Sequence, residues 1–354
     1  MTLYSLDFPY AYGGPICSGQ LRAQPEDFYV DEILGFEPAG EGEHIFIHVE
    51  KVLQNTEWIA KQMTRFANVR SMDVSYSGQK DRRAVTRQWF SIYYPKGDPL
   101  DWSQFSVDGV TLLQVTRHQK KLRRGSHKAN RFRIRLTQLN GEVETLPQKL
   151  EALEKNGVPN YFGEQRFGKE LGNLTNAEHY FAGQRKAKNK FQRGMLLSAA
   201  RSYLFNQVLA ARVTNGTWNQ ILQGDVFTLD RNGADFYLKD DATQEALSDV
   251  AQRNVAGDVH ITGPLWGEGS YTPWGEAAEL EQTVLADFQL FKQGLEKARL
   301  KHERRSLRLP IKNLQWNFEE CDKLVCDFQL PKGGYATSVI REILRSEINE
   351  ELNE

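Results

Sequence analysis

Short runs of apolar and aromatic residues bounded by turn residues occupy the first third of the chain, and such runs are typical of β-strands. Residues 28–34 and 44–50 form the first pair of runs, and residues 74–77 and 88–94 form a second pair. Between the pairs, apolar residues recur at helical spacing after Asn55, a residue type that favours the position before a helix. The pattern therefore predicts strands interrupted by a helix.

The clearest alternation of apolar and polar residues lies at residues 130–136, Asn-Arg-Phe-Arg-Ile-Arg-Leu. Successive side chains of a strand point to opposite faces of the sheet. One face of this strand should therefore carry three arginines. The opposite face should carry Asn130, Phe132, Ile134 and Leu136.

Beyond residue 157 the pattern becomes helical, and strand-like runs return only after Pro310. A helix is predicted at 194–213, and a second helical region is predicted at 276–299. The later elements are strands at 314–318 and 324–330 and a terminal helix from about Ser338. Strands, a different middle section and strands again indicate one domain interrupted by another.

Composition narrows the class of protein. A chain of 354 residues is long enough for two domains, and its 40% hydrophobic and 26% charged residues are ordinary for a soluble globular protein. No apolar run approaches the ~20 residues that span a bilayer, and residues 1–21 lack the basic residues of a signal peptide. Three cysteines are too few for a disulfide framework. We expect a cytoplasmic protein.

Positive charge is concentrated in one segment. Residues 117–135 contain nine Lys or Arg and no Asp or Glu, although the net charge of the whole chain is −1. A locally basic and globally neutral chain suits a polyanionic partner held on one face. A solvated charge run that binds nothing is the alternative.

Three segments could carry chemistry, and each has a plainer structural interpretation. In residues 77–83 a glycine turn presents Asp81 among basic neighbours, which favour an ionised carboxylate that can act as nucleophile or base. Asp81 could equally end a β-turn. Phe132 could stack on a base and Asn130 could line a pocket, or they could be a core residue and a turn residue. The Gly-rich stretch 330–338 could bind phosphate or merely cap a helix. Metal-ligand spacing is absent.

Several segments together resemble one family, the tRNA pseudouridine synthase D (TruD) family. They occur in the family's order and span nearly the whole chain. They are residues 25–28 (PEDF), 35–44 (GFEPAGEGEH), 77–81 (SGQKD), 130–132 (NRF), 157–168 (GVPNYFGEQRFG) and 333–338 (GGYATS).

The resemblance implies a mixed α/β (α+β) fold. A pseudouridine synthase catalytic domain with a mixed sheet and flanking helices would be interrupted by a family-specific inserted α/β domain. We therefore expect the catalytic domain at residues 1–156 and 304–354 and the insertion at 157–303.

The resemblance also implies the reaction, which is isomerisation of uridine 13 of tRNA to pseudouridine without a cofactor or a metal. The expected partner is tRNA, with no membrane and no obligate protein partner. Asp81 matches the catalytic aspartate. The residues expected at the nucleotide are Phe28, Asn130, Phe132 and Tyr335, the last replacing the phenylalanine common in the family. Arg22 and Lys80 are candidate supporting residues, Arg22 as an ion-pair partner of Asp81.

Two other functions remain open at this point. A binding module that has lost catalysis would fit the basic run, although the intact motif around Asp81 argues against it. A carboxylate-dependent nuclease would need clustered acids for metal ions, and the sequence shows no such cluster.

Overall fold

The computed structural model describes residues 4–346. Along the chain the strands are β1 Cys17–Leu21, β2 Phe28–Ile33, β3 His44–Val52, β4 Val74–Tyr76, β5 Val85–Tyr93, β6 Val110–His118, β7 Ala129–Gly141, β8 Val158–Pro159, β9 Val226–Leu229, β10 Asp235–Tyr237, β11 Val259–Leu265, β12 Glu303–Ser306, β13 Arg308–Leu309, β14 Lys312–Glu320, β15 Lys323–Pro331 and β16 Leu344–Ser346. The α-helices are α1 Thr56–Phe66, α2 Leu146–Asn156, α3 Gly172–Phe181, α4 Lys190–Thr214, α5 Gln244–Ala256, α6 Gly275–Val284, α7 Gln289–Lys297 and α8 Ala336–Ile343.

Spatial contacts divide the described residues into two units, which we name the sheet unit and the helical unit. The sheet unit consists of residues 16–147, 311–334 and 344–346. The helical unit consists of residues 4–15, 148–310 and 335–343. The boundaries expected from the sequence, 1–156 with 304–354 and 157–303, follow a different criterion and stay a prediction; residues 1–3 and 347–354 lie outside the described part.

The sheet unit is built on one large mixed sheet in the order β14-β15-β7-β2-β5-β3-β6, with β4 paired to β5 and β1 paired to β7 and β16. Strands β2 and β5 are parallel, as are β1 and β16, and the remaining pairs are antiparallel. The mixed sheet agrees with the predicted α/β fold class. It brings β2, β7 and the loop between β4 and β5 into one unit.

Helix α1 begins one residue after Asn55, as the sequence predicts. Its Ile59 and Met63 are completely buried in a core with β3 and β5. The neighbouring Trp58 is exposed, because adjacent helical residues lie about 100° apart and Trp58 points away from that core.

Strand β7 has the two faces that its alternating sequence predicts. Asn130, Phe132, Ile134 and Leu136 are all at most 8% exposed. On the other face, Arg131 pairs with Asp327 at 2.7 Å and Arg135 pairs with Glu319 at 2.9 Å. These arginines therefore balance acids of the sheet unit itself.

The helical unit combines an antiparallel sheet, in the order β10-β9-β11-β12, with a largely buried helix α4. Helix α4 begins at Lys190, and the Asn189 side chain caps it by accepting a hydrogen bond from the backbone of Gln192. The helical region predicted at 276–299 is confirmed, and it consists of two helices, because a 3₁₀ turn at Ala286–Phe288 separates α6 from α7. The break lets Phe291 enter the core from its own helix.

No helix within residues 4–346 is long and apolar enough to cross a membrane. Within the same residues, no group of three or more His, Cys, Asp or Glu side chains is placed to hold a metal ion.

Candidate active site

Asp81 lies in the loop that joins β4 to β5, two strands that pair directly with each other. Its Oδ2 accepts a hydrogen bond from Arg22 Nη2 at 2.7 Å. The Asp81 side chain is 37% exposed and that of Arg22 is 24% exposed. The structure thus brings together two residues that the sequence analysis paired, and it leaves the carboxylate accessible to a ligand.

Arg22 has an unusual backbone. Its φ is +66°, a left-handed conformation that costs a residue with a side chain about 1–3 kcal/mol. Its guanidinium carbon lies 3.9 Å from the centre of the Phe28 ring, within the range of a cation–π contact. The strained backbone directs one side chain to both Asp81 and Phe28. The strain is a feature that no sequence pattern marked.

The loop around Asp81 is held by a buried ion pair. Lys80 Nζ donates to Glu32 Oε2 at 2.6 Å, and the two side chains are 7% and 0% exposed. The other oxygen, Glu32 Oε1, accepts the backbone N–H of Trp89 at 3.2 Å. The backbone N–H of Lys80 donates to Thr56 Oγ1. Lys80 therefore serves to anchor the loop on the sheet, while the adjacent Asp81 faces outward.

Lys51 on β3 anchors the same loop from another side. Its side chain is completely buried, and its Nζ donates to the backbone oxygen of Asp81 at 2.8 Å. Burial lowers the pKa of Lys51 to about 8; the Asp81 carboxylate opposes this shift and the Lys80 charge adds to it. The sequence alone does not point to Lys51, because a lysine in a strand carries no local sign of what it contacts.

Phe28 and Phe132 lie next to each other, on adjacent strands. Their ring centroids are 6.2 Å apart in an edge-to-face arrangement, and Phe132 stacks on Phe328 at 5.6 Å. Phe28 is 2% exposed and Phe132 is 7% exposed. Their main contacts in this structure are with each other and the core, so their contact with a nucleotide stays a prediction.

Asn130 meets a second polar group that the sequence analysis missed. Its Nδ2 lies 3.3 Å from Nε2 of His127, and Nδ1 of that histidine lies 2.6 Å from Ser77 Oγ. Asn130 and His127 are each 8% exposed. Burial, with the charges of Lys80 and Lys332, lowers the pKa of His127 in spite of the opposing Glu32 carboxylate, so the imidazole is neutral at physiological pH.

Tyr335 belongs to the helical unit, at the start of α8. A tyrosine in place of phenylalanine needs a partner for its hydroxyl, and the structure supplies one: Arg166 Nη2 donates to the Tyr335 oxygen at 3.0 Å. Arg166 also donates to Ser198 Oγ at 2.9 Å. Arg166 thus binds two neighbours within its own unit. A contact of Tyr335 with the nucleotide stays a prediction.

We expect Tyr335→Phe to cost about 0.5–1.5 kcal/mol of unfolding free energy, because the ring remains and only the hydrogen bond from Arg166 is lost. The catalytic activity of the site should change less than threefold, on the order of 0.6 kcal/mol. Thermal unfolding and steady-state kinetics would measure the two effects. Tyr237→Phe, at an exposed tyrosine, is the matched control. A loss of activity as large as that of Tyr335→Ala would show that the hydroxyl, rather than the ring, carries the function.

Comparison with known proteins gives matches over nearly the whole chain. The family model for tRNA pseudouridine synthase D (TruD) matches residues 8–176 and 170–343. A "tRNA pseudouridine synthase D" of Methylococcus capsulatus is 44% identical over 339 residues, which cover 96% of this chain and 94% of the relative. One of Pseudomonas syringae is 45% identical over 337 residues, with 95% and 94% covered.

A solved structure extends the match to the fold. The crystal structure of a proposed tRNA pseudouridine synthase D from Methanosarcina mazei superposes with a TM-score of 0.70 at 25% identity, covering 97% of this chain and 95% of that one. The fold is that of a pseudouridine synthase of mixed α/β architecture. The chain belongs to the tRNA pseudouridine synthase D (TruD) family, which confirms the resemblance seen in its motifs.

Proposed function

We propose that this chain isomerises uridine 13 of tRNA to pseudouridine, with Asp81 as the nucleophile. Family membership supports the reaction, and the resemblance of the motifs supports position 13. The observation that carries the assignment of Asp81 is its ion pair. Arg22 engages Oδ2 at 2.7 Å, and among residues 4–346 no side chain donates a hydrogen bond to Oδ1. One carboxylate oxygen is thus oriented and the other is available to a substrate.

The reaction rearranges bonds within one nucleotide. The N1–C1′ bond breaks and a C5–C1′ bond forms, C5 gives up its proton, and N1 ends with a proton. The carboxylate can add to C6 of the uracil, attack C1′, or take the C2′ proton, and all three routes begin from an ionised Asp81. Arg22 favours that ionised form through its charge.

The protein's other task is to retain the uracil while it is detached from the sugar. Base-modifying enzymes take their target out of the stack into a pocket. Within the sheet unit, Phe28 and Phe132 are proposed as apolar surfaces that hold the base, and Asn130 as its polar contact. For Tyr335 of the helical unit, a contact with the nucleotide is a separate proposal that rests on the resemblance of the motifs. Because the bond changes are internal and redox-neutral, the balance requires no cofactor. The proposed partner is tRNA, and a cytoplasmic location stays a prediction.

The test is site-resolved mapping of pseudouridine in tRNA that has been incubated with the purified protein. We expect new pseudouridine at position 13 and nowhere else. Modification at a different position would contradict the assignment of the target but not the chemistry. Unmodified tRNA that nevertheless binds would favour a binding module without catalysis.

The proposed RNA-binding surface is the loop 119–128, which we name the basic loop. It contains five exposed cations of the basic run at residues 117–135, namely Lys120, Lys121, Arg123, Arg124 and Lys128. Within the described part of the chain, none of the five forms an ion pair with an acidic side chain, whereas Arg131 and Arg135 do. The basic loop can therefore offer its charge to phosphates.

If the five cations of the basic loop each neutralise a phosphate, the logarithm of the tRNA association constant should fall against log[salt] with a slope of roughly −3.5, at ~0.7 per single-strand contact. Replacing all five by alanine should remove most of that slope. Fluorescence anisotropy with labelled tRNA between low and moderate salt would measure it. Arg131→Gln serves as the control, because Asp327 already balances that charge. An unchanged slope in the five-residue variant would remove the basic loop from the RNA interface.

A further inference from the structure

His127 connects the turn that precedes Asp81 to the proposed base contact. Its imidazole lies between Ser77, next to Gly78 in sequence, and Asn130 on β7. We propose that His127 is a positioning residue that holds the Asn130 amide with its oxygen toward the uracil N3–H, and so selects uracil over cytosine. This inference rests on the proposed function, since it assigns a task within the same site.

The hydrogen bonds among Asn130, His127 and Ser77 have a defined direction. The Asn130 amino group faces Nε2 of His127 at 3.3 Å. A neutral imidazole has one donor and one acceptor nitrogen, so Nε2 must accept and Nδ1 must carry the hydrogen. Ser77 Oγ then accepts two hydrogen bonds, one from Nδ1 at 2.6 Å and one from the backbone N–H of His127 at 2.9 Å. The hydroxyl oxygen has two lone pairs for this purpose.

The Asn130 side chain also carries an oxygen that lacks a hydrogen-bond donor among residues 4–346. Oδ1 of Asn130 is buried and has no hydrogen-bond partner in the described structure. A buried acceptor without a donor costs about 1–3 kcal/mol, a cost that disappears when a donor arrives. Such atoms in native proteins call for a functional explanation. A nucleotide whose edge carries an N–H would supply the missing donor.

Uracil and cytosine differ at N3, the atom that would face the Asn130 oxygen. Uracil carries a hydrogen on N3, whereas neutral cytosine has a lone pair there. An acceptor fixed toward N3 therefore attracts uracil and repels cytosine, in the way that base-flipping enzymes read a Watson–Crick edge. If the amide rotated, its amino group would face the base and the preference would be lost. His127 holds the amide in this orientation by accepting a hydrogen bond from its amino group.

The surroundings of His127 favour its neutral form. The charged groups that face it are Lys80 from the loop before β5, Glu32 from β2 and Lys332 after β15. Protonation would place a hydrogen on Nε2 opposite the amino group of Asn130 and would turn the amide away from its oriented state. The uracil preference should therefore fall as the solution is acidified below the lowered pKa of His127.

The experiment uses full-length protein in which Asp81→Asn blocks turnover, and tRNA transcripts with uridine or cytidine at the mapped target position. We expect the Asp81→Asn protein to bind the uridine transcript about tenfold more tightly than the cytidine transcript. This difference corresponds to one well-made hydrogen bond. His127→Leu should remove this preference. His127→Gln should retain it, because the glutamine oxygen can accept near the position of Nε2. His44→Leu is the control, since His44 is equally buried in the same unit but packs on Tyr93.

Kinetics in the protein that retains Asp81 supply a second measurement. His127→Leu should lower kcat/KM about 10- to 100-fold, and it should add almost nothing in an Asn130→Ala background, because the two residues act through one contact. His127→Gln should also lose the acidic step of the pH profile that is due to His127. A merely structural histidine would give additive losses and an unchanged base preference, and that result would overturn the inference. Absence of pseudouridine with the unmutated enzyme would instead contradict the proposed function.

Discussion

Replacing Asp81 by asparagine should reduce pseudouridine formation by roughly 10⁴-fold or more, the order of loss seen when a catalytic nucleophile is removed. The amide has nearly the same size and still offers an oxygen to Arg22, which donates to the carboxylate at 2.7 Å. It has no negative charge with which to attack the nucleotide. The release of tritium from 5-[³H]uridine-labelled tRNA measures the reaction directly, because C5 loses its hydrogen.

Binding should survive the same substitution. The proposed RNA contacts lie in the basic loop, so the affinity of Asp81→Asn for tRNA should stay within about threefold of the unmutated value, less than 0.7 kcal/mol. Asp98→Asn, at an exposed carboxylate of the same unit, is the control and should leave both activity and affinity unchanged. Full activity in Asp81→Asn would remove Asp81 from the chemistry.

Replacing Lys80 by methionine should have the largest effect on stability, about 3–5 kcal/mol, because it leaves the Glu32 carboxylate buried without its partner. The two side chains are 7% and 0% exposed, and they are joined at 2.6 Å. The backbone N–H of Trp89 would remain as a donor to Glu32, but it carries no full charge to balance the carboxylate. Urea unfolding followed by circular dichroism would measure the loss.

Combining Lys80→Met with Glu32→Gln should restore part of the stability, since the unbalanced charge is then removed. The pair of Arg70 and Asp73, in which the arginine is 73% exposed, is the comparison, and Arg70→Ala should shift the urea midpoint far less than Lys80→Met. If Lys80→Met were no worse than Arg70→Ala, the ion pair would not anchor the loop. A stable but inactive Lys80→Met protein would instead place Lys80 in the catalytic step.

Much of the sheet unit could be predicted because its elements have a local cause. The strict alternation at residues 130–136 located β7 and assigned each side chain to the correct face. Helix α1 was predicted because its buried positions recur at the helical period. The helical region expected at 276–299 is present, but its division into α6 and α7 was not predicted, because periodic apolar residues continue across the turn at Ala286–Phe288.

The sequence by itself determined the family, the mixed α/β class and the turn that carries Asp81, since ordered motifs and residue periods are properties of neighbours along the chain. Only the tertiary structure decided what surrounds that carboxylate. Arg22 reaches Asp81 across 59 residues, and His127 reaches Ser77 across 50. Burial and pairing depend on which distant strands become adjacent, so Lys51, Glu32 and His127 carried no local sign of their roles. The motifs in the sequence point to Asp81, and the fold brings Arg22 and Lys51 into contact with it.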